Sequence, residues 1–178
     1  MFDFNLWLDG LMVLLVFAAA GWLLSLPLRN VSIVDIMWSL MFLLASITYA
    51  MAHVAPGPRA WLVIGLVSLW SIRLAAFIGW RNFGKDEDFR YQKIRANNEP
   101  GFAIKSVYLV FGLQAGLAWV ISLPLLAAIN STAPLSWMDA LGVMLWLTGL
   151  IFEAGGDWQL SRFKRDSANR LENQTGQP

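Results

Sequence analysis

The sequence predicts an all-α membrane protein, a polytopic bundle of about five transmembrane helices. Three observations lead to this fold class. Hydrophobic residues make up 57% of the 178 residues and charged residues only 14%, whereas about a quarter of the residues of a soluble domain are charged. The mean hydropathy is +0.55. Uncharged runs long enough to cross a bilayer also recur along the chain, joined by short polar segments.

The apolar runs define the elements in chain order. A transmembrane helix needs about 20 predominantly apolar residues, and such runs lie near residues 6–26, 33–53, 60–80, 106–129 and 137–160. A polar loop over 81–105 separates the third run from the fourth, and a polar tail covers 161–178. No internal repeat divides the chain, so we expect a single membrane domain over 1–178.

The fourth run contains two features that affect packing. Pro124 predicts a kink, because proline removes a backbone donor and clashes with the preceding helical turn. Gly112 and Gly116 have the GxxxG spacing, which is typical of closely packed transmembrane helices.

The basic residues predict the orientation of the bundle. Eleven of the 13 Lys and Arg residues lie in joints or in the tail on one side, Arg59 lies on the other side, and Arg73 lies within a span. Cytoplasmic loops carry the excess of Lys and Arg. We therefore expect the N-terminus outside, the C-terminus in the cytoplasm, and a bacterial cytoplasmic (inner) membrane as the location.

The composition excludes several classes of function. The net charge is only +1, which argues against a nucleic-acid partner. The chain has no Cys and one His, so we expect no disulfide, no cysteine nucleophile and no metal site. Neither GxGxxG nor GxxxxGK[ST] occurs, and a nucleotide would need a site built from helix ends and loops.

Two acidic residues follow a serine in the Ser-x-x-Asp pattern of a helix start, at Ser32–Asp35 and Ser136–Asp139. Capping is the simple interpretation for Asp139. Asp35 lies on the predicted cytoplasmic side and shares a helical face with aromatic residues. For Asp35 we therefore consider two roles, a helix cap or a catalytic proton donor.

Arginine side chains occupy one face of the third predicted helix. Arg73 has Trp70, Phe77 and Arg81 at i−3, i+4 and i+8. Arg73 could extend to the membrane surface. Alternatively, two guanidinium groups beside aromatic rings could bind a phosphate and a planar ring.

The end of the fifth predicted helix carries a second polar face. Glu153, Asp157 and Lys164 project from nearly the same side at helical spacing. They suit either an ion pair between helices or contact with a bound ligand. In the polar loop, Asp88 and Arg90 are further candidates for cofactor binding.

Four segments resemble the steroid 5-alpha-reductase family, in its bacterial branch of unknown function. They are NVSIVDIMWS from Asn30, LWSIRL from Leu69, RNFGKDEDFRY from Arg81 and FEAGGDWQLSRFK from Phe152. The resemblance implies a multi-helix membrane reductase that uses NADPH to reduce a conjugated C=C bond of a lipid-soluble substrate. It also implies that Arg73, Glu153, Asp157 and Lys164 bind the cofactor.

The sequence departs from this family at two places. Trp70 stands where steroid reductases have a tyrosine that polarises the substrate carbonyl. The family also continues past the equivalent of Pro178 with helices that complete the cofactor pocket, so we expect the chain to represent an incomplete site. The alternatives are an S-adenosylmethionine-dependent membrane methyltransferase and a non-catalytic membrane fragment or subunit.

Overall fold

The computed structural model describes residues 3–53 and 55–175, with side chains described up to Phe163 and at Asp166. Every regular element in these ranges is helical, and five helical stretches are long and apolar enough to cross a membrane. The predicted fold class, an all-α polytopic bundle, is confirmed.

The elements follow the predicted order. They are α1 (Phe4–Leu28), α2 (Ile33–Met51), α3 (Pro58–Asn82), α4 (Phe89–Asn98), α5 (Phe102–Ser106), a π-helical segment (Val107–Gly112), α6 (Leu113–Ile121), α7 (Leu123–Ile129) and α8 (Trp137–Thr175). The polar loop predicted over 81–105 contains the short polar helix α4.

The fourth span differs from its predicted bounds. The spanning stretch covers Phe102–Ile121, and the helix is interrupted at Ser122 before α7 begins. Pro124 lies at the start of α7, where its missing N–H costs no helical hydrogen bond. The predicted kink is therefore confirmed as a break between two helices. The span begins earlier than predicted and includes Lys105 in its first turn, where Nζ donates to the carbonyl oxygen of Asn98 at 2.9 Å.

The chain divides into two compact units, one through Pro134 and the other from Leu135. In the first unit α1, α2 and α3 pack in sequence, and α6 returns against α1 and α2. Its fully buried side chains include Leu14, Met41, Tyr49, Phe102, Phe111 and Leu126. The second unit consists mainly of α8. Asp139 accepts a hydrogen bond from the Ser136 amide at 2.7 Å, as expected of a residue that caps this helix.

Glycines on α1 allow α2 and the π-helical segment to approach closely. A methyl group at Gly10 would lie 2.6 Å from Cε1 of Tyr49, and one at Gly21 would meet Met37 and Phe111. In contrast, a methyl group at Gly116 would meet no atom within 4 Å in the described chain. The prediction that Gly112 and Gly116 mark a close helix contact is wrong here, because Gly116 faces open space and Gly112 approaches only Val107 of its own helical turn.

Buried hydroxyl groups join the helices within the apolar region. The Tyr49 hydroxyl and Ser122 Oγ are 2.7 Å apart and connect α2 to the break before α7. Ser39 Oγ donates to the carbonyl oxygen of Ser71 at 3.1 Å and connects α2 to α3. Polar groups inside a bilayer need such partners because no water is available there.

Two tryptophans join the first turn of α1 to α6. The rings of Trp7 and Trp119 stack with centroids 3.8 Å apart. Trp119 Nε1 donates to the Trp7 carbonyl oxygen at 2.8 Å, and Trp7 Nε1 donates to the Trp119 carbonyl oxygen at 3.4 Å. This reciprocal pair holds residues 112 positions apart in the sequence.

We expect Gly10→Ala to lower the free energy of unfolding by about 1–3 kcal/mol, because the new methyl group would overlap the Tyr49 ring. The matched control is Gly65→Ala in α3, where nothing lies within 4 Å. Unfolding in mixed micelles measures both. Equal stability losses in the two variants would show that α1 and α2 are not in close contact at Gly10.

Candidate functional site

A cluster of charged side chains lies where α4 and the residues before it meet the α1–α2 turn. We call it the α4 junction. It comprises Ser32 and Asp35 from the start of α2, and Glu87, Asp88, Arg90, Tyr91 and Arg95 from the polar loop and α4.

Asp35 accepts hydrogen bonds at both of its carboxyl oxygens. The Tyr91 hydroxyl donates to Oδ1 at 2.5 Å, and Arg90 Nη2 donates to Oδ2 at 2.7 Å. Tyr91 is buried, while the Arg90 side chain is about half exposed. Asp35 is therefore fixed in orientation by two donors from α4.

Asp88 begins α4 and is the second acceptor for Arg90. Its Oδ1 accepts from the Arg90 amide at 3.0 Å and from Arg90 Nε at 2.9 Å. The Asp88 amide donates to Ser32 Oγ at 2.8 Å. The Ser32 hydroxyl therefore binds the start of α4 and makes no capping bond to α2. The capping prediction at Ser32 and Asp35 is wrong in both halves. A tertiary contact takes the Ser32 hydroxyl, and the Ser32 amide donates to Asn30 Oδ1 at 2.9 Å, while Asp35 accepts from α4 instead.

Glu87 connects α4 to the turn between α1 and α2. Arg95 donates to it in a fork, from Nε to Oε2 at 2.9 Å and from Nη2 to Oε1 at 2.8 Å. The backbone amide of Val31 donates to Oε1 at 2.9 Å. The guanidinium of Arg95 also lies over the Phe102 ring, 4.5 Å from its centroid. A forked pair of this kind adds geometric specificity to its electrostatic energy.

The contacts of the α4 junction perturb the pKa values of its residues. Hydrogen bonds from Arg90 lower the pKa of Asp88, and the charge of Arg81 contributes to the same effect. Burial raises the pKa of Glu87, but the bonds from Arg95 and Val31 outweigh burial and leave this pKa below its ordinary value. Burial and then the bond to Asp35 raise the pKa of Tyr91. These contacts thus favour the charged forms of Glu87 and Asp88 and the protonated form of Tyr91.

Of the predicted site residues, Asp35, Asp88 and Arg90 come together in the α4 junction. Arg73 and Arg81 lie on α3. Arg73 is half-buried and follows Trp70, whose ring meets the Phe42 ring edge-on at 5.8 Å. Arg81 lies 5.9 Å from the centroid of the Phe77 ring and donates to Asn82 Oδ1 at 3.2 Å.

The remaining predicted residues lie on α8, in the second unit. Glu153 and Asp157 are half-buried and one helical turn apart. The Lys164 side chain lies outside the described residues. Their assignment to cofactor binding stays a prediction.

Sequence reasoning missed Glu87, Tyr91 and Arg95. A signal was available, because Tyr91, Ile94, Arg95 and Asn98 recur at the spacing of one helical face. They are the less exposed residues of α4, whose other side is exposed. Within the residues that the structure describes, no group of three or more His, Cys, Asp or Glu could hold a metal ion.

Comparison with protein families places the chain in a group without an established activity. A family described as a protein of unknown function, DUF1295, matches residues 21–176. The chain belongs to the DUF1295 family. The matched residues include both parts of the α4 junction, which are the α1–α2 turn and the polar loop with α4. No curated protein and no solved structure matches this DUF1295 member.

We expect Glu87→Gln to destabilise this DUF1295 member by about 1–3 kcal/mol, because it removes the charge from a nearly buried fork. The folded pKa of Glu87 is lowered, so its contribution is present above the ordinary pKa of about 4.3 and is lost as the pH falls through the folded value. The difference from wild type should therefore narrow in acid. Unfolding measured from pH 7 downward tests this, with the exposed Asp86→Asn as control. A difference that stays constant with pH would contradict the role assigned to Glu87.

The bond between Asp35 and Tyr91 can be measured by a double-mutant cycle with Asp35→Asn and Tyr91→Phe. We expect a coupling of about 1.5–3 kcal/mol, as for a hydrogen bond to a charged group. Tyr108→Phe, at an exposed tyrosine, should have little effect. Additive effects of Asp35→Asn and Tyr91→Phe would refute the contact.

Proposed function

We propose that this DUF1295 member is a membrane-embedded NAD(P)H-dependent reductase of the steroid 5-alpha-reductase type. Its reaction would be reduction of a conjugated C=C bond in a lipid-soluble substrate. One observation carries most of the proposal. Two of the four segments on which the resemblance rests, from Asn30 and from Arg81, interlock through Glu87, Asp88, Arg90 and Tyr91.

Some of the proposed site residues fit a dinucleotide better than others. Arg90 contacts two carboxylates, so its charge is already compensated and a phosphate nearby would also meet Asp35 and Asp88. Arg81 lies 5.9 Å from the centroid of the Phe77 ring, and Arg73 follows Trp70 by about one turn of α3. A guanidinium group beside an aromatic ring suits a phosphate and a planar ring. Arg73 and Arg81 are therefore proposed to bind NADPH, and the resemblance implies the same role for Glu153, Asp157 and Lys164 of α8.

The proposed reaction adds a hydride at the β carbon of the double bond and a proton at the α carbon. NADPH supplies the hydride when bound. A hydrogen-bond donor near the carbonyl oxygen stabilises the enolate that forms between the two steps. The chain must then deliver the proton.

Asp35 is the proposed proton donor. Tyr91 and Arg90 orient its carboxyl group through separate oxygens. Arg90 also bonds to Asp88 through Nε, so releasing its Nη2 contact leaves the guanidinium paired while Asp35 takes up a proton.

The substrate is proposed to be apolar because aromatic rings line the boundary of α2 and α3. The Phe42 ring meets Trp38 at 5.1 Å and Trp70 at 5.8 Å, both edge-on. Trp70 has an indole N–H that can donate a hydrogen bond but has no useful acidity. We assign an enone lipid as the class of substrate and do not restrict it to steroids. We propose that the α4 junction lies on the cytosolic side of a bacterial inner membrane, where NADPH is available, and the excess of basic residues around α4 supports that side.

A non-catalytic membrane subunit is the second candidate. It is favoured by the ion pairs of Asp35, Asp88 and Arg90, which give all three residues a structural role. On this alternative the α4 junction only holds α4 in place.

Binding of NADPH to the protein in lipid nanodiscs tests the proposal, with S-adenosylmethionine titrated in parallel. We expect Arg81→Ala and Arg73→Ala to weaken NADPH binding about ten- to a hundredfold, the effect of losing a hydrogen bond to a charged group. Lys85→Ala, an exposed cation in the same loop, should bind like wild type. Binding of S-adenosylmethionine alone would favour a methyltransferase, and binding of neither by folded protein would favour the non-catalytic alternative.

A further inference from the structure

Two phenylalanines on either side of the polar loop expose most of their surface. Phe83, directly after α3, is 88% exposed, and Phe89, the first residue of α4, is 76% exposed. Many side chains of the spanning helices are also exposed, as expected where lipid covers them, but these two rings lie outside the spanning stretches and beside charged residues. The loop between them carries Glu87 and Asp88 of the α4 junction.

The α4 junction fixes the position of both rings. Glu87 bonds to the Val31 amide, and the Asp88 amide bonds to Ser32, both immediately before α2. Tyr91 reaches Asp35, one turn inside α2. Phe83 and Phe89 are therefore held level with the end of a spanning helix and do not project far into solvent.

The length of α3 indicates that Phe83 and Phe89 lie at the depth of the membrane boundary. Its 25 residues extend about 37 Å at 1.5 Å per residue, which exceeds the hydrocarbon thickness of about 30 Å. The last turn of α3, with Trp80 65% exposed, therefore lies in the headgroup region, where aromatic rings are favoured. Phe83 continues this aromatic surface.

The charges beside the two rings suit lipid phosphates. Lys85 and Lys93 are exposed, and Lys93 lies one turn after Phe89 on the same side of α4. Of the neighbouring acids, Glu87 and Asp88 are paired with Arg95 and Arg90, which leaves Asp86 exposed. The exposed charge around the rings is therefore positive on balance.

We propose that Phe83 and Phe89 insert into the boundary between headgroups and acyl chains, while Lys85 and Lys93 contact lipid phosphates. The segment from Phe83 to α4 is then an interfacial anchor, in addition to the spanning helices. This proposal is independent of the proposed reductase activity.

The chain has no cysteine, so single spin labels can be placed directly. Phe83→Cys and Phe89→Cys are labelled in vesicles of phosphatidylcholine and phosphatidylglycerol, and collisions with oxygen and with a nickel chelate are compared. Ile72→Cys, exposed in the middle of α3, is the bilayer control. A water-soluble nitroxide in the buffer is the aqueous control.

We expect the ratio of oxygen to nickel collisions at positions 83 and 89 to lie between those of the two controls. Ratios equal to that of the aqueous control would place the rings in water and overturn the anchor. An immobile label reached by neither reagent would show that protein covers the rings, which also overturns it. The two positions are independent, so either variant alone tests the proposal.

Discussion

The arrangement of the polar loop depends on the carboxylate of Glu87. It accepts a hydrogen bond from the Val31 amide and a fork from Arg95, and so joins the α1–α2 turn to α4. Val31 precedes α2, where backbone amides have no partner within the helix. One acidic side chain thus satisfies the backbone of a turn and fixes a helix 56 residues further along the chain. The Asp88, Arg90 and Tyr91 contacts all require α4 to be in this place.

The charges of the α4 junction are paired within the chain. Paired charges cost less free energy at the edge of a membrane than isolated ones. These pairs therefore hold α4 firmly against the start of α2. On α3 the guanidinium of Arg81 lies over the Phe77 ring, and under the proposed function Arg73 and Arg81 would bind the cofactor.

The spans could be predicted because transfer to lipid depends on the summed hydrophobicity of about 20 residues, which the sequence displays directly. The break at Ser122 was also predictable, since Pro124 acts locally. The Gly112–Gly116 spacing failed because a spacing does not say which surface faces a partner. Gly10 and Gly21 form no motif, yet they lie against Tyr49 and Met37.

The α4 junction was only partly predictable for a related reason. Asp35, Asp88 and Arg90 are conspicuous charges, and all three belong to it. The partners that decide its geometry are a backbone amide at Val31 and a hydroxyl at Ser32. Such groups occur in every chain, and only the tertiary register selects these two.

The reciprocal tryptophan pair has a consequence for how the protein is made. Trp7 is synthesised well before its partner Trp119, which follows 112 positions later. Ribosomes add residues at about 5–20 per second, so α1 waits several seconds in the membrane before α6 arrives. During that time the face of α1 that later packs against α6 is open to lipid or to an insertion factor. The order of synthesis therefore makes closure of the bundle by α6 a late step, after α2 and α3 have been synthesised.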